Sequence, residues 1–227
     1  MRRRTVMIAA MALALPRVAR AESSDAQGVV DDAYQVVERI RTGTGAATNA
    51  REVLHRARGV LIIPALVKAG FFFGAQGGSG VLLSRDPQTN QWSYPAFYVM
   101  GAGSFGLQIG IEVSKIVLIV MSDRALNALM ADEFKIGAEA GIALTVIGAG
   151  AEASTTSAGG ADIYAFAESM GIFGGIAVQG GIVKPRLPYN HDYYGATVKS
   201  EDIVLKGGPR NPGADQLRNT LTQISTS

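Results

Sequence analysis

Hydrophobic and polar positions along this 227-residue chain repeat with two different periods, and the changes between them mark out the elements. In residues 25–41, Val29, Val30, Ala33, Tyr34, Val36, Val37 and Ile40 recur every three to four positions, which predicts an amphipathic helix. After the loop RTGTGAATN, Asn49 is placed to cap a second helix whose apolar side is Ala50, Val53, Leu54 and Ala57. Residues 59–64 (GVLIIP) read as a short buried strand that Pro64 is expected to end. Residues 77–113 then read as a β-meander, two apolar runs and a glycine-punctuated third. In the third run Phe105, Leu107, Ile109, Ile111 and Val113 alternate with Gly106, Gln108, Gly110 and Glu112, so one face is bulky and the other nearly bare. A bare glycine face lets something pack close.

Residues 116–121 (IVLIVM) form a continuous β-branched run, the pattern of a strand covered on both faces. Asp123 is expected to cap a helix over 124–132, and three glycine-rich apolar segments follow at 136–149, 161–168 and 172–183. Residues 184–195 read as a loop with clustered tyrosines, and Leu217, Leu221 and Ile224 share one side of a short closing helix. The fold class expected is α+β: amphipathic N-terminal helices and a short C-terminal helix on a glycine-rich, mainly antiparallel sheet that can curl into a barrel.

Residues 1–21 change the electrostatic picture. Arg2, Arg3 and Arg4 precede an apolar run at 6–15, and Ala19-Arg20-Ala21 is an A-x-A cleavage site. That run is about half the ~20 residues a membrane span needs, so the segment reads as a signal peptide, through either the general or the twin-arginine route. The expectation is one domain over 22–227, exported to the periplasm and peripheral to a membrane. Five arginines leave with the leader; the rest holds 16 basic and 19 acidic residues, which removes the generic argument for nucleic-acid binding. There are no cysteines, hence no disulfides, thiolate chemistry or lipid-modified cysteine.

The remaining charge is uneven, with six basic residues and one acidic between positions 39 and 68. Arg51, His55 and Arg58 fall at i, i+4 and i+7, a stripe that is either a solvated face or one that meets lipid head groups. Phe71, Phe72 and Phe73 must point to both faces of any strand; either both faces are covered or one ring meets lipid or a partner.

Catalytic chemistry is thinly represented. Residues 101–106 (GAGSFG) match a G-x-G-x-x-G fingerprint, but period-two alternation follows where a dinucleotide site needs a helix. His55 and His191 are the only imidazoles, neither HExxH nor GxSxG occurs, and no spacing suggests metal ligands. No enzyme activity, cofactor or metal is expected.

Several short motifs carry a resemblance in their order: GVLIIP at 59–64, Lys68-Ala69-Gly70, Gly77-Gly78-Ser79-Gly80-Val81-Leu82, Trp92-Ser93-Tyr94-Pro95-Ala96-Phe97, Gly106-Leu107-Gln108 with Gly110, and Tyr193-Tyr194-Gly195. Over about residues 29–195 the chain resembles the SYLF domain, also called the Ysc84-type actin-binding domain. Gly78, Gly80, Trp92, Ser93, Pro95, Gly106, Gln108 and Gly110 stand at its signature positions. The resemblance implies a lipid-binding module: eukaryotic members bind phosphoinositides and in some cases actin, with membrane contact attributed to the basic, amphipathic N-terminal part. In an exported chain the corresponding partner is anionic phospholipid at a membrane surface. Arg51, Arg56, Arg58 and Lys68 would attract head groups, while Val29, Val30, Leu54 and Phe71, Phe72 and Phe73 supply apolar contact. The alternative is a periplasmic structural or protein-interaction module that oligomerises or binds an envelope partner.

Overall fold

The computed structural model describes residues 15–70, 73–105, 110–139, 141–147, 160–169, 172–174 and 180–226. The chain opens with a long helix, α1 (Leu15–Thr42), and a short one, α2 (Ala46–Leu54). Four long strands follow: β1 (Gly59–Gly70), β2 (Phe73–Ser84), β3 (Ala96–Phe105) and β4 (Gly110–Val120). Next come α3 (Asp123–Leu129), β5 (Phe134–Lys135), β6 (Leu144–Ile147), β7 (Ile163–Ser169), β8 (Ile172–Gly174) and β9 (Ile182–Pro185). The chain closes with α4 (Leu187–Tyr194), α5 (Ser200–Val204), a 3-10 turn at Pro212–Ala214 and α6 (Asp215–Thr226).

The fold is α+β. One sheet runs in the order β5-β9-β3-β2-β1-β4-β7-β6, with β8 also paired to β7. Every pairing is antiparallel except β6 with β7. β5 and β6 stand at opposite ends of the path, so the described strands form an open half-barrel. The expected meander is corrected by this order. β2 and β3 do form a hairpin, but β4 crosses over to pair with β1, leaving β3 to pair with β9. Alternation along each run sets which face a residue takes; it carries no information about the neighbouring strand.

Pro64 does not end its strand. The register of β1 shifts between Ile63 and Leu66 against β4, and between Ile62 and Val67 against β2, so the proline sits in a bulge where its missing N–H costs no ladder bond. The bulge brings carbonyls of β1 hard against β2. A Cβ on Gly78 would lie 2.3 Å from the Ala65 oxygen, and one on Gly80 would lie 2.2 Å from the Ile62 oxygen.

Helix starts are shifted as well. α2 begins at Ala46, because Gly45 at φ 63° turns the chain there, so Asn49 lies within the helix rather than at its cap. α3 is capped by the Ser122 hydroxyl, which accepts from the Ala125 N–H at 3.2 Å, one residue before Asp123. The tyrosine-rich stretch is helical: Pro188 sits in the first turn of α4 and Gly195, at φ 71°, ends it.

Both faces of the sheet are covered near its base. Val60, Ile62, Val81, Phe97, Val117 and Phe166 pack under Val30, Val37 and Leu54 of α1 and α2 and Leu217 and Leu221 of α6. On the other side Leu61, Leu82, Tyr98, Leu118 and Val183 meet Leu126 and Leu129 of α3 and Ile203 of α5. The run at 116–121 therefore alternates between two cores, as its continuous apolarity predicts.

Candidate functional site

The structure separates the residues from which the sequence assembles a basic, apolar stripe. Val30 and Leu54 are 1% and 0% exposed, and Val29 is half-buried against the same core. The apolar sides of α1 and α2 are spent on sealing the sheet, which leaves Val30 and Leu54 no membrane-facing surface and Val29 only part of one. Arg51 turns inward, its Nη1 donating to the carbonyls of Ile40, Arg41 and Gly43 at 2.8, 3.0 and 3.1 Å. It thereby satisfies orphan carbonyls at the C-terminal end of α1. Arg58 donates through Nε and Nη2 to Asp123 Oδ1 at 2.9 and 2.6 Å, and through Nη1 to the Arg85 carbonyl. Arg56 is exposed, and Lys68 is half-buried on β1 opposite Glu112 of β4. Phe71 and Phe72 lie outside the described residues; Phe73 is the first residue of β2.

The signature positions serve packing. Gly78 and Gly80 admit the β1 bulge. Trp92 is 1% exposed, and its indole N–H donates to Ser225 Oγ of α6 at 3.1 Å. Ser93 Oγ accepts from the Ser84 N–H at 3.0 Å, and the Pro95 carbonyl accepts from Tyr194 of α4 at 2.6 Å. Tyr94 donates to Asp215, with the Arg218 guanidinium 3.9 Å above its ring. This short segment thus ties β3 to α4 and α6. Gly106 and Gln108 lie outside the described residues, and Gly110 pairs with Gly70. Burial pushes the Tyr98 hydroxyl up to about 12 and also raises Tyr193 and Tyr194, so these phenols stay neutral.

A different surface combines apolar and cationic groups. Opposed residues of paired strands share a face, so Phe97, Val81, Ile62 and Val117 form one row, buried beneath the helices. Farther out on that face runs a second row, Ile182, Gly101, Gly77, Val67 and Val113. The two rows are four residues apart on β2, roughly 13 Å at ~3.3 Å per residue. The outer row is open to solvent: Val67 is 42% exposed, Val113 51%, and Val99, two residues from Gly101, 37%. Between them Gly77 and Gly103 leave a flat floor, where an added Cβ would meet nothing closer than 3.7 Å.

Cations rim this floor. Lys184 lies opposite Val99, Lys135 opposite Ile182, and Lys115 two positions from Val113. Arg39, from the last turns of α1, reaches Glu168 beside Lys115. Glu168 is 1% exposed and accepts from Arg39 and Lys115, both at 3.0 Å. Glu133 pairs with Lys184 at 2.7 Å and Lys135 at 3.5 Å, and the Lys184 ammonium holds its carboxyl below the usual range. Glu139 accepts from the Lys135 N–H at 3.0 Å, so four cations against three carboxylates leave the rim one positive charge in excess.

Comparison with known proteins agrees with the resemblance in the motifs. The model of the family described as "Ysc84: Las17-binding protein actin regulator" matches residues 101–224, more than half of the chain. The chain belongs to the Ysc84 family. SH3 domain-containing YSC84-like protein 1 of Homo sapiens is 31% identical over 175 residues, which cover 76% of this chain and 50% of that protein. Protein YSC84 of Saccharomyces cerevisiae is 32% identical over 174 residues, 74% of this chain and 36% of the yeast protein. LAS seventeen-binding protein 3, also from yeast, is 33% identical over 168 residues, 72% of this chain and 36% of its own length. The chain thus spans about half the length, or less, of these relatives. The names of the family and its yeast member describe binding and regulation.

Within this Ysc84-family sheet, charge counting along the sequence missed Lys115, Lys135 and Lys184, because they are scattered over three strands. Alternation does place Lys115 on the face of Val113. Nothing local reveals that β9 brings Lys184 beside Val99.

Proposed function

We propose that this Ysc84-family protein is a non-catalytic binding module whose outer sheet face docks on anionic phospholipid at a membrane surface of the cell envelope. The observation that carries the reading is the solvent-open row of Val67, Val113 and Val99 around a glycine floor, rimmed by Lys115, Lys135, Lys184 and Arg39. Flat apolar surface beside an excess of cations is what an interfacial lipid layer accommodates. At about 1 kcal/mol per uncompensated cation, the one in excess contributes ~1 kcal/mol. Burying the exposed halves of three valines adds roughly 3 kcal/mol. Adsorption on that scale is reversible and sensitive to salt. The floor differs from the bare face read from the sequence: glycines of β2 and β3 on the face of Val113 form it, while Gly110 and Glu112 stand on the opposite face. The docking residues are Arg39 of α1 together with residues of the strands.

Co-sedimentation with phosphatidylglycerol-containing vesicles, against phosphatidylcholine alone, tests the reading. The expected result is binding to the anionic vesicles that falls with rising salt and is lost in Val67→Asp/Val113→Asp. A double variant with native circular dichroism and undiminished binding overturns it. The second reading, a protein-interaction surface, draws on the binding roles in the relatives' names. It predicts lipid-free oligomers or a co-purifying partner that the same double variant releases, read by light scattering.

A further inference from the structure

At the base of the sheet, about 20 Å along β2 from Gly77 at ~3.3 Å per residue, lies a second feature independent of the membrane reading. A cleft of about 430 Å³ opens between the end of β2, the Trp92–Tyr94 segment and the turn after α5. Four arginines line it: Arg58, Arg85, Arg210 and Arg218. We propose that this cleft binds a small amphiphilic carboxylate, with one negative head on a short apolar body.

Charge balance selects the head. Arg58 is paired with Asp123 and Arg218 with Asp215, and Asp86 lies on the rim, so four guanidiniums face three carboxylates. One positive charge is left over. It suits a monoanion, whereas a polyphosphate would bring charge into the cleft that nothing neutralises. The spare guanidinium is identifiable. Arg85 donates to the His55 carbonyl and to Asn90 Oδ1, while Arg210 is exposed and has no hydrogen-bond or ion-pair partner among the described residues. A guanidinium with its donor fork free takes a carboxylate through two parallel bonds. The rest of the wall selects the body. The Tyr94 ring is held flat beneath Arg218, and Leu205, 47% exposed, stands at the mouth beside the apolar side chains of α5. The volume falls within the range of small-ligand sites, roughly 300–1,000 Å³.

Trp92 is the only tryptophan and lines the cleft, so its fluorescence reads occupancy directly. The full chain is titrated with hexanoate, acetate, hexanol and inorganic phosphate, with N-acetyl-leucine and its amide as stand-ins for a chain terminus. A saturable response to hexanoate is expected, with acetate and hexanol weaker. Arg210→Ala should weaken hexanoate about tenfold through loss of a charged hydrogen bond. Val67→Asp/Val113→Asp should bind hexanoate normally, separating this cleft from the sheet face. N-acetyl-leucine binding without its amide supports a chain-terminal carboxylate as the source; hexanoate binding alone supports a free acid. The proposal is overturned by the absence of any saturable response, by unchanged affinity in Arg210→Ala with native circular dichroism, or by phosphate binding more tightly than hexanoate.

Discussion

Gly80→Ala tests whether the glycines of β2 and β3 divide between packing and an open surface. Adding a Cβ at Gly80 places it 2.2 Å from the Ile62 oxygen, 2.4 Å from Ile63 Cδ1 and 3.0 Å from the Ile62 carbonyl carbon. The Ile63 methyl can rotate away. The Ile62 carbonyl cannot, because it belongs to the β1 ladder between β2 and β4, so two strands must part by nearly an ångström. Overpacking of that kind costs typically 1–3 kcal/mol, and a backbone obstacle places Gly80→Ala at the upper end, about 3 kcal/mol. For a chain of this size that corresponds to a fall in Tm of roughly 6–12 °C. Gly103→Ala is the matched control: an added Cβ there meets nothing within 4 Å. Losing a strand glycine without a clash should raise stability by ~0.5–1 kcal/mol. Urea unfolding of the two variants, with vesicle binding measured alongside, reads both effects. Equal midpoints for Gly80→Ala and the parent chain would refute the argument that the bulge requires glycine.

Two further outcomes follow from the described contacts. Trp92→Phe removes the indole bond to Ser225 and part of a buried ring, and should lower stability by about 1–3 kcal/mol in urea unfolding followed by circular dichroism. Asp162 is desolvated, which raises its pKa. The Ser122 hydroxyl at 2.6 Å, the Ala143 N–H at 3.0 Å and Arg124 at 2.7 Å outweigh burial and hold it below the usual range. A depressed folded pKa means its contribution is complete above the ordinary Asp value of about 3.9 and is lost as pH falls through the folded value. Asp162→Asn should therefore flatten the acid limb of stability against pH below about 4, while an unchanged limb would remove Asp162 from the acid response.

The sequence by itself determined the class of element almost everywhere its period was sustained. The 3.6-residue repeat of Val29, Val36, Val37 and Ile40 and the continuous run at 116–121 became α1 and the inner half of β4 as read. Ordered short motifs also carried the family. Local pattern failed where the deciding atoms are distant in the chain. The β1 bulge at Pro64 exists because two neighbouring strands hold their registers around it, and the helix at 187–194 packs Tyr193 against Phe97 of β3.

Tertiary structure alone decided the candidate surface. An amphipathic helix advertises an apolar side without saying whether that side meets lipid or its own sheet, because burial is equally favourable against either. Here the strands outrun the helices, so Leu54 is sealed while Val67 and Val113 stay open. The cations around them come from α1, β4, β5 and β9, drawn together by strand pairing, a long-range choice that period and composition do not encode.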